Sequence, residues 1–344
     1  MDKRVGRQYK NTRKQSNLVS LDDLYSTFFN AKVAEGVSNR TLQTYEENYR
    51  FLCDYLSLQN LPREVDVVTT ELVRSYISYM LKEKRKWEGH AHKAEKDKTV
   101  GLSPVTVNTR LKGLRTMFNF LYDEDYIQNN PMAKIKPVIE PESEIEVMSG
   151  EQLERLLKMP NRKTYVGFRD FVFMNVLIDG FFRLNEAVKI KVSDIDFNLE
   201  LITIPANNVK VRRSKKVPIS KGTLRLLADL IKENEDFDSE FIFLTNYGEN
   251  IADDRMRDRI KIYAEKAGLE INVYPHLFRH SAATIYLENG GEVRFLAEML
   301  GHRDLRMVMR YTHLSKKSVK EMHSKYSAIH NITNKLSKDR RTHR

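Results

Sequence analysis

Apolar side chains recur every three or four positions along most of this chain, the period at which an α-helix gathers them on one face. Leu42, Tyr45, Tyr49, Leu52, Cys53 and Leu56 make such a stripe within residues 40–56, with Ser38 or Asn39 available as its cap. Leu72, Val73, Tyr76, Ile77 and Met80 make another over residues 70–82. Pro104 after Ser103 suits a helix start, because proline there gives up only an N–H that would be unpaired anyway. The stripe Val107, Leu111, Leu114, Phe118 and Leu121 follows it. These stripes predict a four- or five-helix domain over residues 19–126.

The period breaks over residues 127–148, where Pro131, Pro137 and Pro141 precede Glu140, Glu142, Glu144 and Glu146 in overlapping order. Such a composition ends helices and predicts an interdomain linker. Ser149 can cap a helix over 150–158, which opens a second domain over 149–326. Further helices are expected over 168–178, 184–192, 221–232 and 253–267. Between them, residues 201–204, 208–211 and 216–219 alternate like strands. A helix starting near Pro275 should end at Gly290-Gly291, and the next at Gly301. Val319, Met322, Tyr326 and Ile329 then recur at helical spacing, and a terminal helix with such a stripe needs a surface to cover it, on this chain or a neighbour. The expected fold class is mainly α with a small antiparallel β-sheet in the C-terminal domain. Residues 1–18 and 327–344 read as a disordered basic tail and a basic C-terminal tail.

Charge adds a partner to this picture. Among 344 residues, 58 Lys and Arg face 47 Asp and Glu, for a formal charge of +11, which favours a polyanion and above all nucleic acid. Arg40, Arg50, Arg110, Lys112 and Arg115 on the first domain, and Arg212 and Arg213 on the second, are the candidate DNA contacts. Cys53 is the single cysteine, so an intrachain disulfide and a Cys-based zinc site are excluded and a reducing compartment is expected. No apolar run is long enough for a membrane span, and a cytoplasmic, nucleoid-associated location is expected. His90 and His92 lie with Trp87 in a charged loop over 82–99; with no third ligand in view, no metal is assigned there.

The candidate chemistry lies in residues 274–314. His276 and Arg279 are three apart and so share a helix face, pointing an imidazole and a guanidinium at one ligand, an anion. His302 follows Leu300-Gly301, and Tyr311 comes nine residues later. A phosphodiester repels nucleophiles, and a phenol with an ordinary pKa near ~10 attacks poorly at neutral pH. Cations must therefore neutralise the non-bridging oxygens, a base must help the phenol and an acid must protonate the departing oxygen. Upstream, Arg183 follows an apolar helix and a glycine, within Arg183-Leu-Asn-Glu186, and Lys210 falls between two strands, followed by Arg212, Arg213, Lys215, Lys216 and Val217-Pro218.

At this point the chain resembles the tyrosine recombinases of the phage-integrase family. Their pattern runs R-x-x-E, a hairpin lysine before V-P, H-x-x-R, L-G-H and a tyrosine, and Arg183, Lys210, His276, Arg279, His302 and Tyr311 follow that order over a match of about residues 20 to 325. The resemblance implies a two-domain DNA clamp, a helical core-binding domain joined to a catalytic one. It implies that Tyr311 attacks the scissile phosphate to form a 3′-phosphotyrosyl link and free a 5′-hydroxyl. Arg183 and Arg279 would clamp the non-bridging oxygens, His276 would assist proton transfer, His302 would bind the phosphate and Lys210 would protonate the leaving oxygen. Glu186 would hold the Arg183 region. No metal or other cofactor is implied. The implied partners are duplex recombination sites, a homo-tetramer joined through the helix around 319–329, and accessory DNA-bending proteins.

Alternatives stay open at several positions. Another cation of the 212–216 run could serve in place of Lys210, and Tyr326 is a rival to Tyr311; His280 and His313 read as packing or solvated residues. The family places glycine two residues before the arginine, whereas this chain has Gly180-Phe181-Phe182-Arg183, so either a rebuilt turn or a slack site is expected. Two other functions compete: a monomeric type IB topoisomerase-like nicking-closing enzyme, and a DNA-binding relative that has lost catalysis.

Overall fold

The computed structural model describes residues 20–88, 95, 98–141, 146–206, 214–301, 308, 309, 311 and 323. The chain divides between Ser143 and Glu144 into two compact units. The described residues are mostly helical, with one small antiparallel sheet, as the patterning predicts.

The first unit holds α1 (Leu21–Ala34), α2 (Asn39–Leu58), α3 (Thr70–Lys82) and α4 (Pro104–Asp123). Ser20, Ser38, Thr69 and Ser103 each cap one of them, the side-chain oxygen accepting from the backbone N–H three residues on. The predicted stripes converge on a core that includes Phe28, Leu52, Leu56, Tyr76, Met80 and Phe118. Cys53 is buried in it, and burial raises its thiol pKa, which suits packing and not nucleophilic chemistry.

The linker expected over 127–148 is corrected by this unit. Ile127, Met132 and Ile135 are buried in its core. The segment is also tied by hydrogen bonds: Thr70 Oγ1 donates to the Pro131 carbonyl at 3.0 Å, and Asn108 clamps the Val138 backbone from both sides at 2.9 and 2.8 Å. Pro131 and Pro137 do stop helices, but the apolar residues between them still find a core. The basic face also differs from expectation. Arg40, Arg50 and Lys112 are exposed, but Arg110 is half-buried with its guanidinium 3.5 Å from the Phe51 ring centroid, and Arg115 donates to the Ile135 carbonyl at 3.0 Å. Both arginines serve packing as long amphipathic side chains do.

The second unit begins with α5 (Gly150–Leu157), whose Ser149 cap and Gln152 form a reciprocal capping box. It continues with α6 (Tyr165–Asp179), α7 (Leu184–Ala187), β1 (Ile195–Asp196), β2 (Leu201–Ile204), β3 (Lys215–Pro218), α8 (Lys221–Glu233), α9 (Asp253–Lys266), α10 (Pro275–Glu288) and α11 (Val293–Leu300). The strands pair antiparallel in the order β1-β2-β3, with Ile195 opposite Ile202 and Ile204 opposite Lys215. β1 is too short for alternation to reveal, and β3 starts one residue before the expected strand. The helix expected over 184–192 ends at Ala187, because the Ile190 carbonyl and the Val192 N–H bond to Ile242 and Glu240 instead. The expected strand over 208–211, His90 and His92, His313 and the stripe Val319, Met322, Tyr326 and Ile329 lie outside the described residues. No described helix is long and apolar enough to cross a membrane.

Within the first unit, α2 and α4 approach closely at Gly113, where an added β-carbon would sit 2.3 Å from Asn48 Nδ2 and 3.3 Å from Asn48 Cβ. Asn48 is itself buried, so the clash has no solvent to move into. Gly113→Ala should therefore destabilise the chain by about 1 to 3 kcal/mol despite alanine's better helix propensity, read as a lower midpoint in urea denaturation. An unchanged or raised midpoint would show that the two helices are not held at this distance.

Candidate active site

The site is built on α10, and Pro275 at its first turn fixes where the helix begins. From that start His276 is exposed, while Arg279, one turn on, points inward and is 3% exposed. Met148, at the entry to the second unit, donates its backbone N–H to Ser281 Oγ at 2.8 Å, which ties this helix to the strap that leads into the unit.

Arg279 is oriented by backbone. One guanidinium nitrogen donates to the Phe181 carbonyl and the other to the Leu300 carbonyl. Burial, and then the neighbouring Arg183 guanidinium, lowers its pKa to about 10. Arg183 is held differently. It precedes α7, its backbone N–H donates to Glu186 Oε2 at 3.1 Å, and its Nη1 donates to Glu186 Oε1 at 2.7 Å. The Arg183 side chain keeps 21% of its surface exposed while Glu186 keeps 1%, so the carboxylate is the buried anchor and the guanidinium faces the opening. This is the supporting place that the resemblance gives Glu186.

Tyr311 is 1% exposed, and its hydroxyl shares a hydrogen bond with His280 Nδ1 at 2.8 Å. Reading His280 as a packing or solvated residue is therefore corrected. Its signal was present in the sequence: it lies four residues after His276 and so one turn along the same face, with the two rings 6.5 Å apart. Tyr311 packs in a small cluster with Phe181, Ala283, Leu296, Leu300 and Val308.

A second residue missed in the sequence is Lys215. It is the first residue of β3, and the strand alternates buried and exposed, with Lys215 and Val217 inward and Lys216 and Pro218 outward. Extending the expected strand back by one residue reveals it, since that position belongs to the face of Val217 and Ile219. Its Nζ is buried without a hydrogen-bond partner and lies 5.3 Å from the Phe182 ring centroid. Burial lowers its pKa to about 7; the Glu186 carboxylate opposes that shift, and Arg279 and Arg183 add to it. The structure thus brings Arg183, Glu186, Arg279 and Lys215 into one electrostatic neighbourhood, with His276, His280 and Tyr311 carried or contacted by α10. Lys210, Arg212, Arg213 and His302 lie outside the described residues.

The turn before Arg183 resolves as rebuilt. Phe181, at the family's glycine position, adopts the left-handed conformation with φ +50° that glycine would take freely. Its carbonyl thereby meets Arg279, and its ring packs edge-on to Tyr286 at 5.8 Å. Gly180 cannot be replaced, because a β-carbon there would sit 2.1 Å from the Phe182 ring. Phe181→Gly should relieve about 1 to 2 kcal/mol of backbone strain but empty a buried site worth about 3 to 5 kcal/mol. A net loss of roughly 2 kcal/mol is expected, seen as a lower thermal midpoint, and a stabilised variant would refute the packing role.

Comparison with known proteins agrees with this geometry. Residues 146–318 match the phage integrase family and residues 20–137 match the phage integrase SAM-like domain. Tyrosine recombinase XerD of Listeria innocua is 25% identical over 313 residues, covering 89% of this chain and 99% of that protein. Tyrosine recombinase XerC of Oceanobacillus iheyensis is 25% identical over 306 residues, covering 86% of this chain and 92% of that one. Among solved structures, the Tn1549 transposon integrase in complex with a circular intermediate DNA matches with a TM-score of 0.67 at 19% identity, covering 85% of this chain and 94% of that chain. A lambda integrase tetramer bound to a Holliday junction matches with a TM-score of 0.64 at 15% identity, covering 86% and 78%. Family matches over both units lead to one conclusion: the chain belongs to the phage integrase family of tyrosine recombinases.

Proposed function

We propose that this chain cleaves and rejoins duplex DNA at specific sites through a 3′-phosphotyrosyl intermediate, with Tyr311 as the nucleophile. The observation that carries the reading is the hydrogen bond between Tyr311 and His280, on the same helix as the buried Arg279. Arg183 and Arg279 neutralise the non-bridging oxygens, and each contributes roughly 2 to 4 kcal/mol of transition-state stabilisation. His276 assists proton transfer, His302 hydrogen-bonds the phosphate, and Lys210 protonates the departing 5′ oxygen. Glu186 holds Arg183 in place. Arg40, Arg50, Lys112, Arg212 and Arg213 are the proposed backbone contacts, with Arg110 and Arg115 contributing mainly through packing.

The protein is proposed to act in the cytoplasm, on nucleoid DNA, as a homo-tetramer on two recombination sites with accessory DNA-bending proteins. Residues 319–329, with their apolar stripe, are the proposed contact between protomers. The full-length relatives named above are recombinases, which disfavours the topoisomerase-like reading. The Phe181 carbonyl on Arg279 supports a working arginine box over a catalytically impaired one.

Tyr311→Phe should bind its site with near-normal affinity and form no covalent complex on a suicide duplex nicked beside the cleavage point. Covalent capture by that variant would remove Tyr311 from the mechanism and point to Tyr326.

The Lys210 assignment rests on its place eight residues before Pro218. Without its proton donor, a sugar alkoxide leaves poorly, so Lys210→Ala should slow cleavage by roughly 10² to 10⁴. A thiolate, whose parent thiol has a pKa near ~8.5, leaves unaided. A substrate with sulfur at the 5′-bridging position should therefore rescue Lys210→Ala but not Arg183→Ala or Arg279→Ala. Normal cleavage of ordinary DNA by Lys210→Ala would assign the acid to another cation of the run.

A further inference from the structure

A lysine on the inner face of a strand, between a sheet and a helix, stands where the alternation calls for an apolar side chain. Lys215 is 8% exposed, so its stem cannot carry the ammonium out to water as long basic side chains usually do. Among the described residues no hydrogen-bond acceptor meets Nζ. An unpaired buried charge is among the most costly arrangements a fold can hold, and a group of this kind in a cleft marks a functional position.

Its surroundings say what would complete it. α11 packs on β3, and its closing residue Gly301, left-handed at φ +66°, lies beside the lysine stem: a β-carbon there would meet Lys215 Cδ at an ordinary contact distance of 3.6 Å. The ring of Phe182, the residue before Arg183, lies on another side. The charged groups whose fields reach Nζ are Arg183 and Glu186 around the start of α7 and Arg279 on α10. Arg294 and Glu298, the charged residues of α11, are exposed, and β2 carries none. The cluster holds two guanidiniums and the lysine against one carboxylate, and that carboxylate already accepts from Arg183. Positive groups outnumber the carboxylate, a balance that favours an incoming anion.

We propose that Lys215 is a third cation of the phosphate site, donating to a non-bridging oxygen of the scissile phosphate when DNA docks. This rests on the recombinase reading and adds to it a residue and a proton-linked binding step. The lowered pKa of about 7 agrees, since the free chain then holds the amine mostly neutral above neutral pH, and an arriving anion favours the ammonium. Lys210 keeps the separate task of protonating the leaving oxygen.

The test uses the full chain and a nicked suicide duplex selected from a random-sequence pool by covalent capture on the wild-type protein. Binding is followed by calorimetry in buffers of different ionisation enthalpy, in a Tyr311→Phe background so that no covalent chemistry contributes. With the free amine lowered to about 7, binding at pH 8 should take up protons, and Lys215→Met in the same background should remove that uptake. Lys215→Arg, charged throughout, should also lose the uptake while keeping part of the cleavage. On the Tyr311 protein, Lys215→Met should slow covalent capture by roughly 10² to 10³. Sulfur at the 5′-bridging position should not rescue it, which separates a non-bridging contact from a leaving-group acid. Methionine keeps an unbranched stem in the same space, so the variant should remain folded, checked by its thermal transition.

Unchanged proton uptake in Lys215→Met, or capture within a few-fold of the wild type, would overturn the proposal. Rescue by the bridging sulfur would also overturn it, by making Lys215 the leaving-group acid. If the wild-type chain captures no duplex at all, the recombinase reading fails first, and the proposal falls with it.

Discussion

The guanidinium of Arg279 sets the shape of the catalytic unit. A buried cation is oriented by the acceptors its N–H groups find, and here two of these are backbone carbonyls, Phe181 before α7 and Leu300 at the end of α11. Those two bonds join the segment carrying Arg183, the helix carrying His276 and His280, and the turn into His302. Backbone acceptors carry no net charge, so they orient the arginine without consuming its positive charge. A carboxylate in their place would hold it as firmly but would cancel the charge that a phosphate needs. Glu186 does neutralise Arg183 in part, yet Arg183 keeps an exposed edge.

Phe181 carries the strain of this arrangement. A left-handed residue is required to turn its carbonyl towards Arg279, and glycine would adopt that conformation freely. The aromatic ring offsets the strain by packing in the cluster beneath Tyr311. The same residue therefore fixes the arginine through its backbone and supports the nucleophile through its side chain, which makes the departure from the family pattern a rebuilt turn and not a slack one.

Much of this was legible in the sequence, because long helices announce themselves. The stripes behind α2, α3 and α4 set their positions to within two residues, and Ser38 and Ser103 marked the starts of α2 and α4. The strap after α4 was misread because proline signals only that a helix stops, not that the chain leaves the core; Ile127, Met132 and Ile135 each bury through tertiary contacts that no local pattern encodes. Arg279 and Arg183 were recognisable by motif, but not that one is held by carbonyls and the other by a carboxylate. Lys215 was hidden by a strand start placed one residue late, which is enough to lose an inward position when the period is two. His280 was hidden by its neighbours, since a histidine beside a motif arginine carries no distinguishing spacing of its own except the turn back to His276.

Two features of the DNA-free chain point the same way. Tyr311 is covered, its hydroxyl bonded to His280, while Arg183, Arg279 and Lys215 gather around the single carboxylate of Glu186. On the proposed reading Tyr311 must be uncovered before it can attack, and a cluster with more cations than carboxylates favours an entering phosphate. On that reading docking of DNA would both supply negative charge and release the tyrosine, and the two share structure, because Leu300 both accepts from Arg279 and packs in the Tyr311 cluster. A phosphate that draws on Arg279 changes the demand on the Leu300 carbonyl, at the end of the helix leading to the tyrosine. One backbone carbonyl thus links the buried arginine to the packing around Tyr311, so a change at either is felt at the other.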